Sequence, residues 1–96
     1  MDHIIKLTHP AGKKAVSMDG RKYDLVKTPF LNCLKKKGDS THKEILQAIV
    51  TDFENDETKF EGSIEWHMEW VKLDLEARKQ IKRIRTKSPI KFAIRL

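Results

Sequence analysis

From Arg21 to Lys37 the apolar side chains Tyr23, Val26, Phe30, Cys33 and Leu34 recur every three or four residues, the repeat of a helix with one buried face. Pro29 stands inside that repeat. A proline there removes the bond to the carbonyl of Leu25, so the choices are a kinked helix or a restart capped by Thr28. The repeat passes through Pro29 unbroken and favours the kink. Gly38 then follows where a left-handed residue ordinarily ends a helix. A second helix is signalled by Thr41 and Glu44, placed as in a capping box, where hydroxyl and carboxylate each satisfy a free backbone N–H. Ile45, Leu46, Ile49, Val50 and Phe53 share its buried face and carry it to about Phe53. The acidic stretch ENDETKFEG reads as a loop.

Ser63 caps a third helix whose pattern is less ordinary. At about 100° per residue, Met68, Val71 and Leu75 fall within roughly 40° of Ile64, while Trp66, Trp70, Leu73 and Ala77 cluster at about 180 to 240°. Glu65, Glu69, Lys72, Glu76 and Lys79 fill the arc between. This helix therefore has two apolar stripes and one charged one, and something must meet the second apolar stripe.

The two ends of the chain alternate instead. Ile4, Ile5 and Leu7 form a short strand before a Pro10-Ala11-Gly12 turn, and Ala15, Val16 and Met18 form a second extended piece. After Ile81 the period becomes two: Ile90, Phe92, Ile94 and Leu96 alternate with Lys91, Ala93 and Arg95. IKRIR before this strand and TKSP between complete a hairpin, and Pro89 is tolerated at a strand start. The pattern predicts an N-terminal strand and turn over 1–18, three helices over 19–80 and a hairpin over 81–96.

Ninety-six residues hold one domain and one core, burying somewhat over ~60% of the surface of the unfolded chain. Hydrophobic residues at 39% and charged residues at 35% predict an ordered globular fold. With no apolar run near ~18 residues and no signal-like segment, a cytoplasmic location is expected. The single Cys33 cannot form an internal disulfide, which agrees with a reducing compartment, and it falls on the apolar stripe of the first helix as core filler.

Charge divides the chain unevenly. Residues 1–43 hold ten Lys/Arg against four Asp/Glu, residues 44–76 two against ten, and residues 77–96 eight against none. A basic surplus favours anionic partners, and alternating blocks also suit head-to-tail contacts between copies. The Lys pair in AGKKA is no phosphate-binding loop, because Leu7 stands where that motif needs glycine. His3, His9, His42 and His67 are scattered without metal-ligand spacing, Cys33 has no identifiable base, and Glu65 and Glu69 lie outside any recognisable cleft. Neither catalysis nor a metal or other cofactor is expected.

The order of elements, three helices and then a hairpin with a short N-terminal strand available to join it, resembles a winged helix, an α+β fold. VKLDLEARKQIKRI is similar to the end of the third helix and the start of the wing in many bacterial regulators, where a leucine-rich helix gives way to a Gly-Leu-Ile-x-Arg type segment. Lys79 and Gln80 stand where Gly-Leu is usual, so either the helix runs on or Lys79 takes a costlier conformation. RKYDLVK, FEGSIEW and VKLDLEAR together resemble a small uncharacterised bacterial family over essentially the whole chain.

An ordinary winged helix lays the outer face of its third helix in the major groove of DNA. Here that face would carry Trp66, Trp70, Leu73 and Ala77 beside three glutamates, whereas base reading calls for Arg, Lys, Asn, Gln and small hydroxyls. The cationic hairpin is the better phosphate surface: Arg78, Lys82, Arg83, Arg85, Lys87, Lys91 and Arg95, with Lys79 beside them, predict sequence-tolerant association with double-stranded DNA. The rival expectation is a protein-interaction or homodimerisation module. In it the Trp66, Trp70, Leu73 and Ala77 stripe meets the N-terminal strand and turn, a second copy, or both; the stripe can also simply complete an intrachain core.

Overall fold

The structure, a computed structural model, describes residues 4–14, 16–85 and 89–95. His3, Ala15, Lys87, Leu96 and most of the expected TKSP turn lie outside them. Along the chain run β1 (Ile4–Lys6), β2 (Ser17–Asp19), α1 (Gly20–Lys37), β3 (Ser40–Thr41), α2 (His42–Asn55), α3 (Ile64–Ala77), β4 (Ile81–Ile84) and β5 (Lys91–Ile94). The result is a small mixed α+β domain, and among the described residues no helix is long and apolar enough to cross a membrane.

Each helix starts on a side-chain cap. The Asp19 carboxylate accepts from the Arg21 N–H at 2.8 Å, and Ser63 Oγ accepts from the Trp66 N–H at 3.1 Å. At α2 the capping box is complete, with the Glu44 N–H donating to Thr41 Oγ1 at 3.2 Å and the Thr41 N–H to Glu44 Oε1 at 2.9 Å. Gly38 closes α1 at φ 77°, a region an L side chain enters only with strain. α1 runs without interruption from Gly20 to Lys37 with a buried Pro29 inside, so Thr28 does not restart it.

The exit from α3 takes the second of the two routes open to it. The helix stops at Ala77 and Lys79 adopts φ 61°, while Gln80 N–H bonds the Leu75 carbonyl and Lys79 N–H the Glu76 carbonyl. These are the two bonds of a Schellman motif, with lysine in the usual glycine place.

Two separate sheets form. β1 and β2 pair antiparallel with Ile5 opposite Met18, so the N-terminal strand does not join the C-terminal hairpin as expected. That place is taken by β3, two residues between α1 and α2, giving a three-stranded sheet of order β3-β5-β4. A two-residue strand carries no period, and the sequence shows there only the cap of α2.

One core joins all elements. Tyr23, Val26, Phe30, Cys33 and Leu34 from α1, Ile45, Ile49 and Phe53 from α2, and Met68, Val71 and Leu75 from α3 are buried together. Leu7, Met18, Ile81 and Phe92 complete it from both sheets. The Ile64 side of α3 is therefore the core side, and the tryptophan stripe lies opposite.

Candidate nucleic-acid interface

The basic residues of the C-terminal hairpin divide between its two sides. Register pairs Ile81 with Ile94, Lys82 with Ala93, Arg83 with Phe92 and Ile84 with Lys91. Since successive side chains alternate across a strand, Ile81, Arg83, Phe92 and Ile94 share the inner side and Lys82, Ile84, Lys91 and Ala93 the outer. The Arg95 N–H reaches the Gln80 carbonyl at 3.0 Å, which extends the ladder and puts Arg95 on the outer side too. Arg95, Lys82 and Lys91 are then diagonal neighbours on one face, a like-charge row that an anion relieves. Arg85 follows at the end of β4. All four are exposed, and among the described residues none has a carboxylate within ion-pair distance.

The inner side uses its cations differently. Arg83 grips Glu76 with two bonds, Nη2 to Oε1 at 2.9 Å and Nε to Oε2 at 3.2 Å, and its guanidinium lies 5.3 Å from the centre of the Phe92 ring. Lys72 Nζ stands 4.9 Å from the same ring centre and donates to Glu69 Oε2 at 2.9 Å. Phe92 is thus held between two cations that α3 and β4 supply. Lys72 is 6% exposed, so the charged arc of α3 is not a solvated face as its composition implies but a polar seam against the hairpin. His42, in the first turn of α2, extends the seam: Lys72 Nζ lies 3.4 Å from Nδ1, and Glu65 Oε2 lies 3.1 Å from Nε2. Nδ1 thus faces the Lys72 ammonium with Glu69 Oε2 3.7 Å away, and Nε2 faces the Glu65 carboxylate.

Arg78 belongs to a second internal network, centred on a residue that sequence reasoning passed over. Asp74 is fully buried. One of its oxygens accepts from the Thr8 N–H at 2.8 Å; the other accepts from the Tyr23 hydroxyl at 2.5 Å and from Arg78 Nε at 2.8 Å. Three elements thereby meet at one carboxylate: the chain after β1, α1 and α3. Burial foremost, then the bond to Asp74 and its charge, hold the Tyr23 phenol well above its ordinary range. Its own bond to Asp74, and then the charge of that carboxylate, raise Arg78 further. Asp74 stands at the edge of the core stripe with an arginine four residues on, and that pairing was the readable signal.

The tryptophan stripe is only partly covered. Trp70 packs on the core and meets the His9 ring of the N-terminal turn edge-on, with ring centres 6.4 Å apart, whereas Trp66 is 46% exposed. Leu73 and Ala77 are half-buried. His67 joins Trp66 to Phe60, with ring centres 4.9 Å from each, and Phe60 stacks on Phe53. His67 Nδ1 lies 2.7 Å from the Ser63 carbonyl, which can only accept, so that nitrogen carries the proton. Among the described residues no three His, Cys, Asp or Glu side chains converge as a metal site would require.

Seven residues were expected to form a cationic face. Lys82, Lys91 and Arg95 stand exposed on the hairpin's outer side, and Arg85 is exposed just past β4, where that strand's alternation turns to the Arg83 side; Arg83 and the half-exposed side chain of Arg78 are held by carboxylates, and Lys87 lies outside the described residues. No curated protein and no solved structure matches the chain. The profile of a family of unknown function (DUF6958) matches residues 4–92, and the chain belongs to that family.

Proposed function

We propose that this member of the family is a winged-helix module that associates with double-stranded DNA through the outer side of its C-terminal hairpin, without placing α3 in the groove. The strand between the first two helices and the β3-β5-β4 order support the fold reading, since a winged helix sets its wing beside such a strand. The observation that carries the function is the outer row of Lys82, Lys91 and Arg95, without an ion pair among the described residues, with exposed Arg85 just past β4. The outward face of α3 argues against groove reading, because it presents exposed Trp66 with half-buried Leu73 and Ala77 where donors to base edges are needed.

Fluorescence anisotropy with random duplex DNA across a salt series tests this. Four neutralised phosphates give a contribution to the slope of log affinity against log salt of about −3.6. Replacing Lys82, Arg85, Lys91 and Arg95 by alanine removes that contribution, and absence of binding by the unaltered protein at low salt ends the reading. The exposed indole of Trp66 favours a second reading, a protein partner or second copy seated on the stripe. Sedimentation equilibrium of the unaltered protein and Trp66→Ala separates the two, since only the interface reading makes association depend on that indole.

A further inference from the structure

On the inner side of the C-terminal hairpin, opposite the Lys82 row, a groove of about 570 Å³ opens between the start of α2, the charged arc of α3 and the sheet. That volume lies within the range of small-molecule sites. Lys43, Lys72 and Arg83 bring cations to it and Pro89, Ile90 and Phe92 an apolar wall, with no Asp or Glu among the lining residues. The acids that pair with Lys72 and Arg83 are Glu69 and Glu76 of α3, and neither lines the groove. Their bonds leave donors over. Glu76 engages Nε and Nη2 of Arg83, so Nη1 lies outside that grip, and Glu69 takes only one of the three N–H groups of Lys72. Phe92 holds both cations, its ring centre 5.3 Å from the guanidinium and 4.9 Å from Nζ. His42, on the same wall, is set between Lys72 and Glu65. Lys43 is exposed and, among the described residues, has no carboxylate within ion-pair distance. Pro89 and Ile90 are exposed beside it, Ile90 at 39%.

We infer that this groove binds a small organic carboxylate with an apolar tail, the carboxylate held by Lys43 and the spare N–H groups of Arg83 and Lys72, and the tail laid along Pro89 and Ile90. Net attraction comes from Lys43, because glutamates already meet the charges of Arg83 and Lys72; those two add direction. A compact anion suits this wall better than a nucleic-acid backbone does. Few donors converge in a recess with an apolar side, whereas a line of phosphates needs cations spread along an open face. Because the groove lies on the inner side, it stands whether or not the Lys82 row meets DNA.

Hexanoate is a suitable probe, titrated into the full chain and followed by two-dimensional amide NMR. Saturable shifts are expected at the amides of Lys43, Lys72, Arg83 and Ile90, with a Kd of about 1 to 10 mM. Hexanamide, of the same length but uncharged, should bind at least about tenfold more weakly. Acetate, which lacks the tail, should also lose at least about tenfold. Lys43→Ala removes an exposed side chain that takes no part in the Thr41 and Glu44 capping box, and it should weaken hexanoate about fivefold. Lys82→Ala, on the opposite side of the hairpin, should leave the affinity unchanged. Absence of saturable shifts up to about 50 mM hexanoate overturns the inference. So does hexanamide binding as tightly as hexanoate, or a loss at Lys82→Ala that equals the loss at Lys43→Ala.

Discussion

Lys82 and Arg83 are neighbours in sequence and meet opposite surroundings. Arg83 faces inward, where Glu76 takes both arms of its guanidinium and Phe92 lies beneath it. Lys82 faces outward, opposite Ala93, with a lysine and an arginine as its diagonal neighbours. The inner seam closes its charges on one another and joins α3 to the sheet. The outer side has no carboxylate within ion-pair distance of its charges among the described residues. Net charge therefore overstates the binding surface, because a cation is available to phosphate only where the fold has supplied no carboxylate.

The sharpest way to break this contrast is to open the internal networks. Asp74→Ala strands the Tyr23 hydroxyl, the Thr8 N–H and Arg78 together, and a stability loss of about 3 to 5 kcal/mol is expected in urea denaturation. A loss below about 1 kcal/mol would show that the network does not hold α1, α3 and the N-terminal turn together.

The same network predicts an alkaline limit. Because the folded Tyr23 pKa lies above its unfolded value near 10, the stabilisation is complete below about pH 10 and is lost as pH climbs toward the folded value. Tyr23 is the only tyrosine, so ultraviolet absorbance reports it directly, and its ionisation should coincide with unfolding. Tyr23→Phe should remove this part of the pH dependence.

A paired comparison at the hairpin sharpens the division. Arg83→Ala should cost about 1.5 to 3 kcal/mol in stability and leave the salt slope of DNA binding unchanged. Lys82→Ala should stay within about 0.5 kcal/mol in stability and reduce the slope by about 0.9. An exchange of these outcomes would place the binding side on the wrong face. A smaller stability effect than at Arg83, and of opposite sign, is expected at the exit of α3, where Lys79→Gly relieves a left-handed backbone and should raise stability by about 0.5 to 1 kcal/mol in thermal denaturation.

The helices were legible because periodic burial writes itself into the order of residues. The Thr41 and Glu44 box, the Ser63 cap and the Gly38 stop occur where local chemistry demands them. What stayed hidden is tertiary. β3 is too short for a pattern, and the pairing of β1 with β2 depends on which edge lies nearest. Lys72 reads as a surface residue until Phe92 and Glu69 are brought to it. Of the candidate cations, the sequence shows every charge; that Arg78 and Arg83 are taken by Asp74 and Glu76 follows only from the packing of α3 on its neighbours.

The Thr8 N–H bound to Asp74 reaches beyond its own hydrogen bond. Leu7 and Met18, one on either arm of the first hairpin, are 3% and 4% exposed within the shared core. A piece trimmed to the helices and the C-terminal hairpin would lose both side chains, the packing of the first hairpin on α1 and the Thr8 bond to Asp74 of α3. The minimal folding unit accordingly reaches back at least to β1, and the first hairpin is a structural wall of the domain as much as the sheet at its other end.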